Sequence, residues 1–544
     1  MPGGATRGAP WLFILTSNTT LSMYIKKIYG TYALAIVAAL FYSCSSTKDK
    51  SAPKELQAVT VNLNIDDATV YQTMEHFGAS DAWSCQFVGN WPDAKKIAIA
   101  DLLFSQDTDA QGNPIGIGLS IWRFNIGGGS TEQGTESGIR DEWRRAESFL
   151  QPDGKYDWNR QKGQVWFANA AKQRNVGKLL IFPNSPPVSL THNGKAFADK
   201  GLKTNLDSSK FEAYADYLAT VAQGMQKMGL TPDYISPMNE PQWDWNDGGQ
   251  EGTPFYNNEV AQVAKLLDQK IADKGITAKI NLAEAGQINY LYEEHNRPGR
   301  ANQVKDFFVK GSPNYIGSLS HLDNAISGHS YFTTSPFAAS VSQREQLSKS
   351  VSQVSGLRYW MSEYCILGDN DGEIKGHSRD LGITSALYLA RTIHTDIAVA
   401  QATAWHWWVA ISPYDYKDGL IYIDREKTDG NFYESKMLWS LGNYSRFIRP
   451  GYQRVKVENP ANSTIDKDFL YSAYKDPATG KLVTVIINSG NNDVPVTLQH
   501  KASSLSSFTV YVTSADKDLE VQKVKSKKPF AVPAQSIVTI VSQN

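Results

Sequence analysis

The chain has 544 residues, of which 41% are hydrophobic and 20% are charged. Lysine and arginine number 54 against 55 aspartates and glutamates, so the formal net charge at pH 7 is -1. Proteins that bind nucleic acid carry a basic excess or a basic stripe, and this sequence has neither, so we expect no nucleic-acid partner. Because a single hydrophobic core stops growing near ~250–300 residues, the length predicts one large domain and a smaller one.

Residues 1–44 resemble a bacterial export signal. Two lysines, Lys26 and Lys27, precede an apolar run that is too short to span a membrane as a helix. The run ends at Cys44 within a loose lipobox, which predicts that this cysteine is lipidated. The alternative is an ordinary cleavage site that contains a cysteine. Met23 stands at the natural beginning of such a signal and is a candidate for the true start.

Residues 45–55 are polar and predict a tether between the lipid and the folded domains. We therefore expect an exported, membrane-anchored lipoprotein, periplasmic or on the cell surface, that contacts the membrane only through its lipid. The mature chain keeps two cysteines, Cys85 and Cys365, which favours buried free thiols over a disulfide framework. No CxxC or HExxH spacing occurs, so we expect neither a metal nor a cofactor. We also expect a monomer.

Short apolar runs alternate with amphipathic helical segments through most of the chain. In the clearest helical segment, residues 211–225, apolar residues recur at intervals of three and four. Such alternation predicts parallel strands joined by right-handed crossovers, and eight units close into a (β/α)8 TIM barrel. An open doubly wound sheet is less favoured, because Gly127–Gly129 opens a long loop where a phosphate-binding fingerprint would begin a helix. The predicted barrel strands are Glu75–Ser80, Leu119–Asn125, Lys178–Phe182, Tyr234–Met238, Lys279–Ala283, Ala325–Tyr331, Tyr359–Glu363 and Ala402–Trp408.

The C-terminal part has a different pattern, with short alternating strands separated by Gly, Asn, Asp and Pro. This spacing is typical of a β-sandwich. An early strand at Val59–Asn64 has no helix to pair with, and we expect it to join the sandwich. The predicted domains are an N-terminal strand of the sandwich at 56–72, the barrel at 73–450 and the β-sandwich at 451–544. The predicted C-terminal strands are Phe469–Tyr474, Leu482–Asn488, Val494–Gln499, Phe508–Thr513 and Ile537–Ser542.

Two glutamates end strands of the predicted barrel. Glu240 closes the fourth apolar run and Glu363 closes the seventh, at the strand ends where barrel enzymes carry their active sites. Strands four and seven lie across the barrel mouth from each other, so the two carboxyl groups can approach the ~5–5.5 Å separation of retaining glycosidases. A structural salt bridge is the alternative for either glutamate alone. The pair predicts one protonated acid and one ionised nucleophile.

Several motifs resemble family 30 of the glycoside hydrolases, which belongs to clan A. They are Trp122–Gly128 on strand two, Ser185–Pro187 after strand three, Asn239-Glu240 on strand four, Glu363 on strand seven and Leu441–Gly451 before the sandwich. The resemblance runs from about residue 56 to the end. It implies a (β/α)8 barrel fused to a side β-sandwich and hydrolysis with retention of configuration. It also implies Glu240 as acid/base and Glu363 as nucleophile.

Other residues at the predicted mouth then take roles in substrate binding. Arg123 can hydrogen-bond the nucleophile and keep it ionised, since a nearby cation lowers a carboxyl pKa. Asn239 is placed to bond the sugar 2-hydroxyl, a contact that strengthens in the transition state. His329 and Tyr331 end strand six, and the tyrosine can donate to the nucleophile. Packing alone is the alternative for each of these residues.

Aromatic and polar residues complete the predicted sugar site. The candidates are Asp81 and Trp83 after strand one for a hydroxyl and a ring face, Asn125 on strand two, Trp243 for a leaving-side subsite, and the run Trp405–Trp408 at the end of strand eight, above all Trp405 and Trp407, for a stacking floor. Flat apolar rings beside short polar side chains suit sugars, which have a C–H face and a hydroxyl edge.

The expected partner is a β-linked polysaccharide. Phe77–Ser84 together with the long loop Gly127–Trp158 looks most like the endo-β-1,6-galactanase branch of the family. A β-1,6-glucanase, a xylanase or a β-xylosidase remains open. So does a non-catalytic glycan-binding lipoprotein, although that class would have lost one of the two strand-end carboxylates. A metal-dependent hydrolase would need clusters of His and Asp, and His329 and His406 are too few.

Overall fold

The computed structural model describes residues 60–201, 204–462, 464–501, 507–525 and 529–542. The predicted export signal, the lipidated Cys44 and the tether lie outside these residues. In the part of the chain that the structure describes, no helix is long and apolar enough to cross a membrane.

Eight parallel strands close into a barrel, as predicted. After β1 (Val61–Thr73), the barrel strands are β2 (His76–Ser80), β3 (Ile121–Asn125), β4 (Lys178–Phe182), β5 (Tyr234–Ile235), β6 (Lys279–Ala285), β7 (Leu322–His329), β8 (Arg358–Glu363) and β9 (Ala404–Trp407). Each strand pairs in parallel with its neighbour, and β2 pairs with β9 to close the ring. Every predicted barrel strand overlaps one of these eight. The C-terminal ends of the strands form one rim, here called the mouth.

Helices surround the barrel because their apolar stripes need a partner surface. On the helix of residues 211–227, for example, Tyr214, Leu218 and Met225 lie on the buried face. Ser435 caps the N-terminus of the final helix, because its side chain accepts from the Leu438 backbone N–H. The helices are α1 (Cys85–Val88), α2 (Asp93–Phe104), α3 (Ser130–Gln133), α4 (Lys162–Gln173), α5 (Phe211–Lys227), α6 (Asn257–Asp273), α7 (Asn289–Tyr292), α8 (Gln303–Phe308), α9 (Phe337–Ser352), α10 (Ile383–Ala398) and α11 (Lys436–Ser445).

The remaining strands form a small sheet and the β-sandwich. They are β10 (Ile411–Ser412), β11 (Ile421–Ile423), β12 (Phe432–Glu434), β13 (Gln453–Glu458), β14 (Phe469–Lys475), β15 (Leu482–Asn488), β16 (Val494–His500), β17 (Ser507–Thr513), β18 (Glu520–Lys525), β19 (Phe530–Val532) and β20 (Ser536–Ser542). The sandwich strands follow the order β18-β17-β20-β15-β14-β13-β1-β16-β19. The predicted N-terminal strand does join them, since β1 pairs antiparallel with β13 and parallel with β16.

Two apolar surfaces hold the sandwich together and fix it to the barrel. Leu63 of β1 shares a core with Ile486 of β15 and Val510 of β17, so the two halves of the strand order face each other. The neighbouring β15 residues, Val485 and Ile487, instead belong to the cluster that includes the barrel core. Because side chains alternate along a strand, one face of β15 packs inside the sandwich and the other packs against the barrel.

Candidate active site

Glu240 and Glu363 meet at the mouth. Glu363 is the last residue of β8, and Glu240 lies five residues beyond the end of β5. Both residues are buried: Glu240 is 6% exposed to solvent and Glu363 is 3% exposed. An oxygen of Glu240 lies within 4.8 Å of an oxygen of Glu363. This gap fits the ~5–5.5 Å of retaining glycosidases and is too short for the ~6.5–9.5 Å of inverting ones, which must admit a water.

His329 bridges the carboxylates from the end of β7. Its Nδ1 lies 2.9 Å from Glu240 Oε1 and 3.6 Å from Glu363 Oε1, and its Nε2 lies 2.9 Å from Glu284 Oε2. Burial alone would lower the pKa of His329, but the three carboxylates outweigh it and raise the pKa to about 10. His329 is therefore an imidazolium at neutral pH, and each of its N–H groups donates to a carboxylate.

Two further donors hold Glu363. Arg123 Nη1 donates to Glu363 Oε2 at 3.0 Å, and the Tyr331 hydroxyl donates to Glu363 Oε1 at 3.1 Å. The guanidinium is fully buried and lies over the Phe182 ring, 4.3 Å from its centroid. Both carboxylate oxygens of Glu363 are thus engaged, which fixes the orientation of this carboxylate at the mouth.

A third carboxylate, Glu284, completes the cluster and was not predicted. It is fully buried in β6, and Arg123 Nη2 donates to its Oε2 at 3.0 Å. Burial tends to raise the pKa of Glu284, yet Arg123 and His329 together lower it below its ordinary value. The sequence carried a signal for it, because Glu284 lies one residue beyond the predicted strand that ends at Ala283. It is a third glutamate at a strand end.

The backbone under two of the glutamates is left-handed. Glu240 has φ 43° and Glu284 has φ 52°, a conformation that residues other than glycine seldom adopt. The Glu240 N–H donates to the Glu284 backbone oxygen at 2.9 Å, so the two turns support each other. Such local strain is found where a site demands a particular side-chain direction. Here it aims both carboxylates at His329.

The charges of the cluster favour a protonated Glu240. Burial raises the pKa of Glu240, the hydrogen bond from His329 lowers it, and the net shift is upward. With Glu240 protonated, the anions Glu284 and Glu363 balance the cations Arg123 and His329. Ionising Glu240 leaves one unbalanced negative charge in a buried site, which is unfavourable. The arrangement therefore favours Glu240 as the group of the pair that carries a proton.

Asn239 and Trp243 flank the acid. Asn239 is 3% exposed, and its Oδ1 has no hydrogen-bond partner among the described residues, which leaves it available to a sugar hydroxyl. Trp243 is partly exposed, and its ring lies 6.3 Å from that of Phe332, which is half exposed. The Trp243 backbone N–H donates to the Glu240 backbone oxygen at 3.1 Å, which keeps this residue next to Glu240.

Trp405 and Trp407 do not form the predicted stacking floor. Both are fully buried, and the Trp405 Nε1 donates to Asp396 of helix α10. The Trp407 Nε1 donates to the Asp418 backbone oxygen, and strand alternation places these two rings on one side of the chain and His406 and Trp408 on the other. Trp408 is 8% exposed, and its ring lies 5.1 Å from that of Trp83. Trp408, which directly follows β9, is thus the aromatic residue of this run that is partly exposed at the mouth.

Asp81 and Asn125 lie beneath the mouth. Asp81 is 1% exposed, and its Oδ1 accepts from the Asn125 backbone N–H at 2.8 Å and from Gln164 Nε2 at 3.2 Å. Burial raises the pKa of Asp81 to about 8. Asn125 is fully buried and its Nδ2 donates to the Phe182 backbone oxygen. These contacts join β2, β3 and β4, which indicates a structural role where sugar binding was predicted.

The cluster is built for proton transfer. Glu240, His329 and Glu363 do place potential metal-ligand atoms within 4.8 Å of one another, a grouping that was not predicted. However, these groups already have partners: His329 is hydrogen-bonded to Glu240 and Glu284, and Glu363 accepts from Arg123 and Tyr331. The two cysteines of the described chain, Cys85 and Cys365, are buried and free.

Comparison with known proteins agrees with the site. The model of O-glycosyl hydrolase family 30 matches residues 60–422. The chain belongs to this family. The model of the glycosyl hydrolase family 30 beta sandwich domain matches residues 451–540. Clan A glycosidases act with retention, as the spacing of the two glutamates also indicates.

Three similar proteins illustrate the range of the family. A conserved exported protein from Bacteroides fragilis is 34% identical, with a TM-score of 0.82 over 88% of this chain and 99% of that one. Glucuronoxylanase XynC of Bacillus subtilis is 24% identical over 372 residues, 66% of this chain and 71% of the relative. An exo-beta-1,6-galactobiohydrolase of Bifidobacterium longum subsp. longum is 21% identical over 289 residues, 48% of this chain and 18% of the relative.

Proposed function

We propose that this glycoside hydrolase is an endo-β-1,6-galactanase that uses Glu363 as nucleophile and Glu240 as acid/base. The observation that carries the catalytic part is the gap of at most 4.8 Å between the two carboxylates, with an imidazolium shared between them. In the first step a Glu363 oxygen bonds to the anomeric carbon, the glycosidic bond breaks, and Glu240 gives its proton to the leaving oxygen. In the second, Glu240 takes a proton from water, the water oxygen bonds to the same carbon, and the ester to Glu363 breaks.

The cluster supports both steps. Loss of the proton from Glu240 in the first step is offset by His329, whose N–H already points at the Glu240 carboxyl group at 2.9 Å. Release of Glu363 in the second step restores its bonds to Arg123 and Tyr331. Because these donors are fixed before reaction, they stabilise the changing charge with little reorganisation.

Two observations favour galactan as the substrate. The resemblance of Phe77–Ser84 and the loop Gly127–Trp158 favours a β-1,6-galactanase, and so does the activity of the Bifidobacterium relative, an exo-beta-1,6-galactobiohydrolase. The loop is held by Glu251, which is fully buried and accepts from the Gly128 and Ser130 backbone N–H groups. A xylanase is the second candidate, because the Bacillus glucuronoxylanase is similar over more of the chain.

We also propose that the enzyme is exported and lipid-anchored at Cys44 and acts as a monomer on polysaccharide outside the cytoplasm. The basic and apolar pattern of residues 1–44 supports export, as does the description of the Bacteroides fragilis relative as an exported protein. Metabolic labelling with a radioactive fatty acid tests the anchor, with Cys44→Ser as the control. Label retained in that variant would contradict the proposal.

Product analysis tests the activity. The protein should release oligosaccharides from β-1,6-galactan faster than from β-1,6-glucan or xylan, and NMR of the first product should show the β anomer. Glu363→Gln, which keeps the shape but cannot form the ester, serves as the control and should show no turnover. EDTA should not lower the rate. Release of only α product, or fastest cleavage of xylan, would contradict the mechanism or the substrate respectively.

A further inference from the structure

Asn184 stands out among the buried polar residues of the mouth. It follows β4 by two residues and is 3% exposed, yet neither its Oδ1 nor its Nδ2 has a hydrogen-bond partner among the described residues. A buried amide that leaves both ends unpaired destabilises a fold, whereas a leucine of similar size would not. Donor and acceptor together point to a ligand that supplies both.

The position of Asn184 points to the sugar that undergoes attack. Phe182, two residues earlier, faces the mouth, because its ring contacts the Arg123 guanidinium that holds Glu363. Asn184 follows Phe182 and Pro183 at the C-terminal end of β4, so its backbone lies at the same rim of the barrel as Glu363 at the end of β8.

A second unpaired donor lies in the same wall. Trp83 Nε1 is buried and has no partner among the described residues. The Trp83 ring packs against Trp408 at 5.1 Å, and Trp408 packs against Phe182 at 6.3 Å. This wall adjoins Arg123, which contacts Phe182, and so lies beside the proposed nucleophile. Trp243, by contrast, lies next to the proposed acid.

We propose that Asn184 binds two neighbouring hydroxyl groups of the sugar whose anomeric carbon is attacked, and thereby selects that sugar. This inference rests on the proposed glycosidase function. A side-chain amide offers one acceptor and one donor about as far apart as two vicinal hydroxyls, each of which can donate and accept. Because a site that hydrogen-bonds a hydroxyl strongly rejects an analogue that lacks it, this residue sets specificity more than it sets affinity.

The test separates binding from folding. In Asn184→Leu, the melting temperature should stay unchanged or rise, because the unpaired amide is gone. Asn205 provides the matched control: it is also 3% exposed, but its Nδ2 donates to Asn193 Oδ1, the Lys195 oxygen and the Phe197 oxygen. Asn205→Leu should lower the melting temperature. A fall of equal size in Asn184→Leu would overturn the proposal.

Binding is measured in the Glu363→Gln background, which needs no turnover. Calorimetry with β-1,6-galactotriose, β-1,6-glucotriose and xylotriose identifies the preferred trisaccharide. Adding Asn184→Leu should weaken that binding by about 10- to 100-fold, the effect of two lost hydrogen bonds. Analogues of the attacked sugar that lack one of its hydroxyls should bind more weakly to the protein that keeps Asn184. In the double variant that carries both Glu363→Gln and Asn184→Leu, these analogues should bind as strongly as the complete sugar does.

The outcomes for the two proposals differ. Equal affinity with and without Asn184, or no binding of any trisaccharide, would overturn the role of Asn184 whatever the wild type hydrolyses. Asn184-dependent binding in a protein whose wild type cleaves none of the three glycans would support the subsite and overturn the enzymatic proposal.

Discussion

Replacing Glu284 by glutamine should move the alkaline limb of the pH–rate profile to lower pH. The Glu284 carboxylate is bonded to neither Glu240 nor Glu363, but it is bonded to Arg123, which donates to Glu363, and to His329, which donates to Glu240. Removing its charge leaves the buried cluster with a net positive charge when Glu240 is protonated. The cluster can relieve this excess only by losing a proton from Glu240 or from His329. Either loss occurs at lower pH than in the wild type.

The magnitude follows from one hydrogen-bonded charge. A hydrogen bond to a charged group contributes roughly 1.5–3 kcal/mol, and one pKa unit corresponds to about 1.4 kcal/mol. The alkaline limb should therefore fall by about one to two pH units. The free energy of unfolding should fall by only about 1–3 kcal/mol. The loss is limited because glutamine still offers an oxygen to Arg123 and because Arg123 remains paired with the Glu363 carboxylate.

The assay is kcat/KM against pH with an oligosaccharide whose leaving group needs protonation. Asp396→Asn is the matched control, since Asp396 and its partner Arg344 are also fully buried, 2.8 Å apart, but among the helices. It should lower stability without moving the profile. A lower rate for Glu284→Gln at every pH, with the alkaline limb unmoved, would show that Glu284 only supports the fold.

Three further predictions follow from the same geometry. Glu240→Gln should slow hydrolysis of oligosaccharides far more than glycosylation by activated aryl glycosides, which leave without a proton; single-turnover rates measure this, and equal losses would contradict the acid role. Trp408→Ala should lower kcat/KM by about 10- to 100-fold through loss of stacking, whereas Trp407→Phe should change it less than about threefold; the reverse order would restore the predicted floor. Asp81 has a folded pKa of about 8, above the unfolded ~3.9, so the folded state binds the extra proton and stability falls as pH rises from about 4 to 8. Denaturant titrations should show that Asp81→Asn removes much of this fall, and an unchanged pH dependence would argue against a buried protonated carboxyl.

The barrel was predictable because its strands are short apolar runs with helical segments between them. The sandwich strands β13 and β18 were missed because Gln453–Glu458 and Glu520–Lys525 interleave charged residues with few apolar ones, and pairing partners far along the chain supply their stability. The early strand was placed correctly, since Val59–Asn64 alternates and precedes the first barrel unit.

The site was predictable where a residue ends a strand and unpredictable where direction matters. Glu363 ends β8, and Glu240 lies in the short segment that follows β5. Trp405 and Trp408 stand three residues apart in one aromatic cluster, and only the register of β9 decides that the first contacts Asp396 and the second contacts Trp83. A shift of one residue exchanges the two faces of a strand, and composition does not reveal that choice.

The placement of β1 determines how a pull on the N-terminus is distributed. Whatever attaches before Val61 pulls first on β1, which lies between β13 and β16 in the strand order. Rows of backbone hydrogen bonds on both edges of β1 share a load along the strand, so they must shear together instead of opening one at a time. The catalytic glutamates belong to a separate ring of strands. An enzyme held at one end while it grips a long polymer can therefore bear tension in its sandwich and leave the spacing of its two carboxylates unchanged.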